Sequence, residues 1–339
     1  MNPEQKLALI KRNTQEIVTE AELLELLKKK KQPTVYLGTA VTGRPHLGYY
    51  VWVLKMADFL KAGFKVKVLM ADLHGALDNC PWGVLEKRYG YYSAVIPLMF
   101  QSLGADTKNI EIIKGSEFQL KKEYILDVLK LSTFTSIHDA TKAASEVVKL
   151  GDNPKLSGII YPLMQALDEE YLKADVQYGG IDQRKILMYA REYLPKVSYK
   201  TRVEVMTPLI PGLIGKKMSA SEPKSKIDLL DDEKMVQEKV RGAYCEEGKV
   251  EDNGVLAFLK LVVMPMKEDA KKAFVVERPA KFGGNISFGT YQEIEDVFAD
   301  KTLHPLDLKN ALAKEINALL EPFRKNKARL DKIAAEAYD

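Results

Sequence analysis

At 339 residues, with 46% hydrophobic and 29% charged positions, the chain has the composition of a globular protein able to bury one large α/β domain and a smaller second one. Fifty-one basic against forty-seven acidic residues leave a formal charge of +4, which excludes capture of nucleic acid by overall charge and requires local patches instead. Two widely separated cysteines, Cys80 and Cys245, and only four histidines argue against a disulfide framework or a zinc site; no stretch is long and apolar enough for a membrane span, and the glutamate-containing N-terminus resembles no targeting peptide, so a reducing, cytoplasmic setting is expected.

From the N-terminus, Leu7, Ile10, Ile17, Leu23, Leu24 and Leu27 recur at helical spacing and predict a helical arm over residues 1–32. Its closing lysine run at 28–31 suits a solvated helix end. Val35-Tyr36-Leu37 predicts a buried strand opening a domain over 33–230. Gly38 permits close backbone approach, Thr42-Gly43 forms a turn, and Pro45 suits the first position of a helix carrying His46, Leu47 and Gly48 in its first turn. A strand that feeds a glycine turn and a helix N-terminus gathers unpaired N–H donors and positive dipole, which suits a polyphosphate. The helix ends at Gly63, and residues 64–71 predict the next strand. Strand, helix, strand is the unit of a parallel sheet, whose ligands sit at the carboxyl ends where Gly38, Thr42 and Asp72 fall.

Residues 82–103 predict a helix stopped by Gly104, and 110–113 a strand. A mainly helical insertion follows, over about 115–175, between two halves of the sheet. Within it Tyr161, Gln165 and Asp168 are spaced four and three apart, on one helix face among Ile159, Ile160, Leu163, Met164 and Leu167; this predicts a buried polar pocket. Val176-Gln177-Tyr178 predicts a strand, Gly179-Gly180 a tight turn, and Asp182 onward a helix, repeating the first half. Residues 203–210 are apolar and lead to a glycine-bounded loop at 215–222, whose lysines and serines can approach a phosphate chain and withdraw. From 231 to 339 the pattern is helical. The expected architecture is α/β: a Rossmann-type doubly wound parallel sheet with a helical insertion, then an all-helical C-terminal domain.

Pro45-His46-Leu47-Gly48-Tyr49 resembles the HIGH signature of the class I aminoacyl-tRNA synthetases, and Lys217-Met218-Ser219-Ala220-Ser221 resembles their KMSKS loop. Together, in this order, they make the chain similar to the tyrosyl branch of archaeal and eukaryotic type, from the N-terminal arm almost to the last helix. The resemblance implies that Tyr36, Gly38, Tyr161, Gln165, Asp168 and Gln183 enclose L-tyrosine. Asp168 and Tyr36 would meet the phenol, and Gln165, Gln183 and Tyr161 the ammonium. It implies ATP binding by Thr42, Gly43, His46, Gly48, Asp182, Lys217, Met218, Ser219 and Ser221. His46, Lys217 and Lys216 would act on the phosphates, Mg²⁺ would bridge those phosphates, and no metal is assigned to protein side chains.

The same resemblance implies tyrosyl-adenylate formation, transfer to the 3′ end of tRNA(Tyr), and a homodimer joined through the insertion. Phe282 and Asp307 would read the first anticodon base, by stacking and by an edge hydrogen bond. On residue type alone, Phe282 equally suits a small core and Asp307 a helix cap. Arg184 and Lys185 are candidates for the acceptor end, and as a basic pair they also suit a solvated surface. Tyr49 and Ala220 depart from the two signatures, leaving open which donors meet the phosphates. The tryptophanyl branch shares the fold and can carry the same loop, yet indole offers no phenolic acceptor, so Tyr36 with Asp168 favours tyrosine. An HxGH-type nucleotidyltransferase has no need of the helical C-terminal domain, and a non-catalytic RNA-binding or signalling descendant has no need of so full a site. Eukaryotic members often carry a further C-terminal RNA-binding module, beyond the point where this sequence stops.

Overall fold

The computed structural model describes residues 1–212 and 226–339. Six strands, β1 (Glu16–Val18), β2 (Thr34–Ala40), β3 (Lys65–Ala71), β4 (Ile110–Lys114), β5 (Val176–Gly180) and β6 (Val203–Thr207), form one sheet in the order β1-β6-β5-β2-β3-β4. All neighbours are parallel except β1, which runs antiparallel along the β6 edge. Val35, Val66, Val68, Val176 and Val205 are buried, as parallel strands covered on both faces require. The winding reverses between β2 and β5, so the crevice at their carboxyl ends is the natural ligand site.

The N-terminal arm departs from the helical expectation. Helices Pro3–Lys11 and Glu20–Lys29 flank β1, whose Ile17 and Val18 stand opposite Val205 and Glu204. Asn13 turns through a left-handed conformation (φ 54) and Thr19 caps the second helix, leaving a β-branched pair between two stops. Arg191, on the helix Arg184–Tyr193, then donates to the Val18 carbonyl at 3.0 Å and pairs with Glu22, fastening the arm to that helix.

The helix expected from Pro45 also starts later. Leu47–Tyr49 make one 3-10 turn and Tyr50–Lys61 the α-helix. His46 stands outside as the cap, its Nδ1 accepting the Gly48 N–H at 3.1 Å. A backbone bridge between His46 and Asp228 holds it extended, which a first-turn residue cannot be. Gly63, at φ 89, follows the helix end as predicted.

Helices Ser116–Gln119, Lys122–Ser132, Ile137–Ala144 and Leu156–Tyr171 lie between β4 and β5 around an apolar cluster that includes Tyr124, Leu131, Leu163 and Leu167. Beyond β6 the chain is mostly helical. It also carries an antiparallel pair, β7 (Phe274–Val276) with β8 (Ile286–Phe288), absent from the sequence expectation because three residues show no period. Helices Pro305–Lys325 and Lys327–Tyr338 pack on Leu85–Ser102, so one core runs from Val35 and Phe100 to Leu319 and Phe323. Among the described residues no helix is long and apolar enough to cross a membrane.

Candidate active site

A cavity of about 450 Å³ opens at the carboxyl ends of β2 and β5. Tyr36, Gly38, Thr42, His46, Gly48, Tyr161, Gln165, Asp168, Asp182 and Gln183 all line it. Gly43 is beside it in the chain without lining it. Lys216, Lys217, Met218, Ser219 and Ser221 lie outside the described residues.

Asp168 stands at the buried end. Gln119 Nε2 and the Tyr124 hydroxyl both donate to its Oδ1 at 2.8 Å, which leaves Oδ2 to the Tyr36 hydroxyl at 3.5 Å. Burial pushes the Asp168 carboxyl up to about 7, against the downward pull of Gln119, Tyr124 and Tyr36. Burial and the Asp168 charge hold the Tyr36 phenol well above its ordinary range, so it remains a donor. His74 packs edge-on against Tyr161 with ring centroids 4.6 Å apart. Its Nε2 lies 3.8 Å from Asp168 Oδ2, and burial pushes the imidazole down to about 4, so it is neutral. This end of the cavity therefore offers an acceptor and a donor for one hydroxyl at the tip of a flat ring.

His74, Gln119 and Tyr124 were not found from the sequence. His74 closes the Asp72-Leu73-His74 run at the end of β3, a place where ligands belong, and that position was an available signal. Gln119 and Tyr124 offer no such signal, since they meet Asp168 only through tertiary packing.

At the other side Gln165 Nε2 donates to Gln183 Oε1 at 2.9 Å. The Gly179-Gly180 pair is the end of β5 itself, where a tight turn was expected. A Cβ at Gly180 would meet Asp182 Oδ1 at 2.5 Å and one at Gly179 would meet Gln183 at 3.3 Å. The doublet therefore makes room for the two polar side chains that follow it.

His46 faces the mouth. Burial and the Lys226 charge push its imidazole down to about 4; with Nδ1 accepting from Gly48, the neutral ring carries its proton on Nε2. Arg44 pairs with Asp228 at 3.1 Å, and the Leu47 N–H donates to the Ile227 carbonyl at 2.9 Å, so residues 226–228 are tied to this turn. Tyr49, the departure from the first signature, has a place of its own. Its hydroxyl meets that of Tyr92 at 3.0 Å, and Tyr92 donates to the Gly43 carbonyl at 2.6 Å. Tyr338 donates to the same carbonyl at 3.1 Å, and Arg88 donates to the Thr42 carbonyl. The Thr42-Gly43 turn is thus braced from a neighbouring helix and from the last turn of the described chain.

The remaining expected residues do not line this cavity. Arg184 makes a two-pronged pair with Glu16 of β1, at 2.7 and 2.9 Å, and Lys185 meets Ser145 and Glu146. Phe282 is exposed, with Lys281 Nζ 4.9 Å from its ring centre. Asp307 sits in the first turn of a helix whose cap is His304, not Asp307. Arg278 donates to the Gly284 and Thr302 carbonyls and so links the Phe282 turn to the segment before Asp307.

A family model for class I tRNA synthetases (W and Y) matches residues 28–321. The chain is 48% identical over 340 residues to the cytoplasmic tyrosine–tRNA ligase of Gallus gallus, covering 99% of this chain and 64% of that protein. It is 43% identical over 340 residues to the tyrosine–tRNA ligase of Haloarcula marismortui, covering 100% and 98%. Among solved structures it is similar to the tyrosyl-tRNA synthetase complexed with L-tyrosine from Archaeoglobus fulgidus, at TM-score 0.89 and 41% identity over 97% of this chain and 99% of that one. The chain spans a little under two thirds of the length of the vertebrate relatives it matches.

Proposed function

The chain belongs to the tyrosine–tRNA ligase family of class I tRNA synthetases, and from that membership and its cavity we propose that it activates L-tyrosine with ATP and transfers the tyrosyl group to the 3′ end of tRNA(Tyr). The observation that carries the reading is the Asp168–Tyr36 pair at the closed end of the cavity, a donor and an acceptor suited to a phenol and not to indole or a bare phenyl ring. Gln165, Gln183 and the Tyr161 hydroxyl would take the ammonium. The tyrosine carboxylate then lies toward the mouth, where His46 and the braced Thr42-Gly43 turn would hold the triphosphate and Asp182 the ribose.

Two displacements follow. A carboxylate oxygen bonds to the α-phosphorus as the bond to pyrophosphate breaks; then a terminal ribose hydroxyl of the tRNA bonds to the acyl carbon as AMP leaves. No side-chain nucleophile is needed, and the rate would come from alignment and from charge stabilisation by the His46 Nε2–H, Lys216 and Lys217. Mg²⁺ would travel on the ATP phosphates and offset their charge.

Phe282 and Asp307, linked through Arg278, would read the anticodon, and Arg184 and Lys185 would approach the acceptor stem. Ile125, Leu126 and Leu129 share one exposed face of Lys122–Ser132, near exposed Leu120, Phe134 and Ile137, and this apolar surface fits a homodimer contact. Sedimentation should give a dimer that Leu129→Glu converts to monomer. A cytoplasmic setting is the reading that accords with its cytoplasmic relatives. The first test is pyrophosphate exchange into ATP without tRNA: exchange with tyrosine and not with tryptophan or phenylalanine is expected. Exchange with tryptophan would move the assignment to the sister branch.

A further inference from the structure

The active-site cavity has a neighbour. A groove of about 170 Å³ is lined by Leu77, Asn79, Val148, Lys149, Lys155 and Gly158. The residues next in the chain, Asp78 and Val147, line the active-site cavity, so the same two segments wall both spaces. Lys155 Nζ donates to Asn79 Oδ1 at 2.6 Å and joins the two walls. Asn79 holds a left-handed φ of 67, turning the chain into Pro81 and Trp82. Trp82 is 71% exposed and Leu156 72%, so neither belongs to the core. Trp82 does not line the groove itself, and three residues of chain hold its backbone within about 11 Å of Asn79.

We infer that this groove receives the unpaired 3′ end of the tRNA, with Trp82 as a stacking platform for a base and Lys149 and Lys155 toward the phosphates. The inference rests on the proposed tyrosyl transfer. That step requires a single strand whose terminal ribose reaches inside the cavity, so the strand enters through a space continuous with it. An exposed aromatic beside lysines is the combination by which proteins hold single strands without reading their sequence. Of the carboxylates beside the groove, Asp78 acts on Lys149 and Glu146 is paired with Lys185 at 2.9 Å, which reduces their repulsion of a phosphate. Arg184 and Lys185 then lie on a different wall, tied to Glu16, Ser145 and Glu146, and suit the double-stranded stem rather than the terminal bases.

The test separates the two steps. Tyrosine-dependent pyrophosphate exchange is measured without tRNA, and single-turnover transfer is measured from preformed adenylate to tRNA(Tyr), for the unaltered protein, Trp82→Ala and Lys149→Ala. Exchange should stay within about twofold in both variants. Transfer should slow about tenfold in Trp82→Ala through lost stacking, and less in Lys149→Ala, with a weaker salt dependence. Unchanged transfer in both variants would overturn the groove alone, as would exchange falling in step with transfer, which would make Trp82 a support of the neighbouring ATP turn. No exchange in the unaltered protein would instead remove the parent reading, and this one with it.

Discussion

At Asp168 burial competes with three hydrogen-bond donors, and the balance leaves its carboxyl at about 7, where small changes in environment decide its charge. A tyrosine hydroxyl donating to Oδ2 would favour the ionised form. Tyrosine binding should therefore weaken as pH falls below about 7: KM for tyrosine in the exchange assay rises by up to about tenfold per pH unit, while KM for ATP does not follow it. Asp168→Asn should abolish that pH dependence and weaken tyrosine binding by about 1–3 kcal/mol, since a donor is left facing a donor. A flat KM in the unaltered protein would sink this. Tyr49 and Lys217 give a second contrast. The Tyr49 hydroxyl reaches the Thr42-Gly43 turn by way of Tyr92, and the ring, packed edge-on to His46 at 5.2 Å, is kept in Tyr49→Phe; that change removes only neutral hydrogen bonds, each worth about 0.5–1.5 kcal/mol, and adenylation should slow a few-fold. Lys217→Ala would remove a charge proposed to meet the leaving pyrophosphate and should slow it far more. Equal losses in pre-steady-state adenylation would defeat that division of roles.

Elements were legible in the sequence where a pattern runs their whole length. The apolar runs of β2, β3 and β5 and the shared face of Tyr161, Gln165 and Asp168 on Leu156–Tyr171 needed only the two backbone periods. Legibility stopped where a position is fixed from outside its own element. β1 depends on β6 for its pairing, and His46 is drawn out of its helix by Asp228, a partner far along the chain. Asp168 was found, but Gln119 and Tyr124, which donate to it, come from two other helices, and no spacing rule joins them. Gly254 is a further case, since nothing in its own stretch of sequence marks why glycine is needed there. It opens Gly254–Phe258, and a Cβ there would stand 2.6 Å from the Gly212 carbonyl, just before the lysine–serine segment in sequence. Backbone cannot yield as a side-chain tip can, so Gly254→Ala should cost about 1–3 kcal/mol. Thermal melting should show the loss, and adenylation should fall more than tyrosine affinity does, because the displaced segment precedes in sequence the lysines proposed to meet the phosphates.

Across the whole molecule the buried carboxyl groups set how stability varies with pH. Tyr36, Gln177 and Glu204 stand opposite one another on three adjacent strands and so point to one face of the sheet; the covering helix brings Asp168 and Glu169. Glu169 and Glu204 are fully buried, and among the described residues none of their carboxylate oxygens has a hydrogen-bond partner. Burial raises both; the Glu169 charge raises Glu204 further and Asp168 and Glu170 raise Glu169, while Arg202 and Arg191 pull the other way. Two such groups so placed do not both ionise near neutrality. In the unfolded chain all three carboxyls titrate near 4, so between there and about 7 the folded state holds protons that the unfolded state has released. Stability must fall as pH rises through that window, by about 1.4 kcal/mol per unit for each proton so held. Glu22, Asp127 and Asp269, lowered by their donors, act in the opposite sense and lose their contribution on acidification below the unfolded value. Buried His46 and His74, held down to about 4, bind protons only when unfolded and so add stability as pH rises to about 6.5, which offsets much of the fall below that point. Urea midpoints from about pH 6.5 to about pH 8 should therefore decline at constant m, and Glu204→Gln, which cannot release a proton, should flatten the decline. A midpoint that climbs over this range, or a variant with the full original slope, would show that the Glu169–Glu204 pair is ionised in the folded protein and balanced by its two arginines.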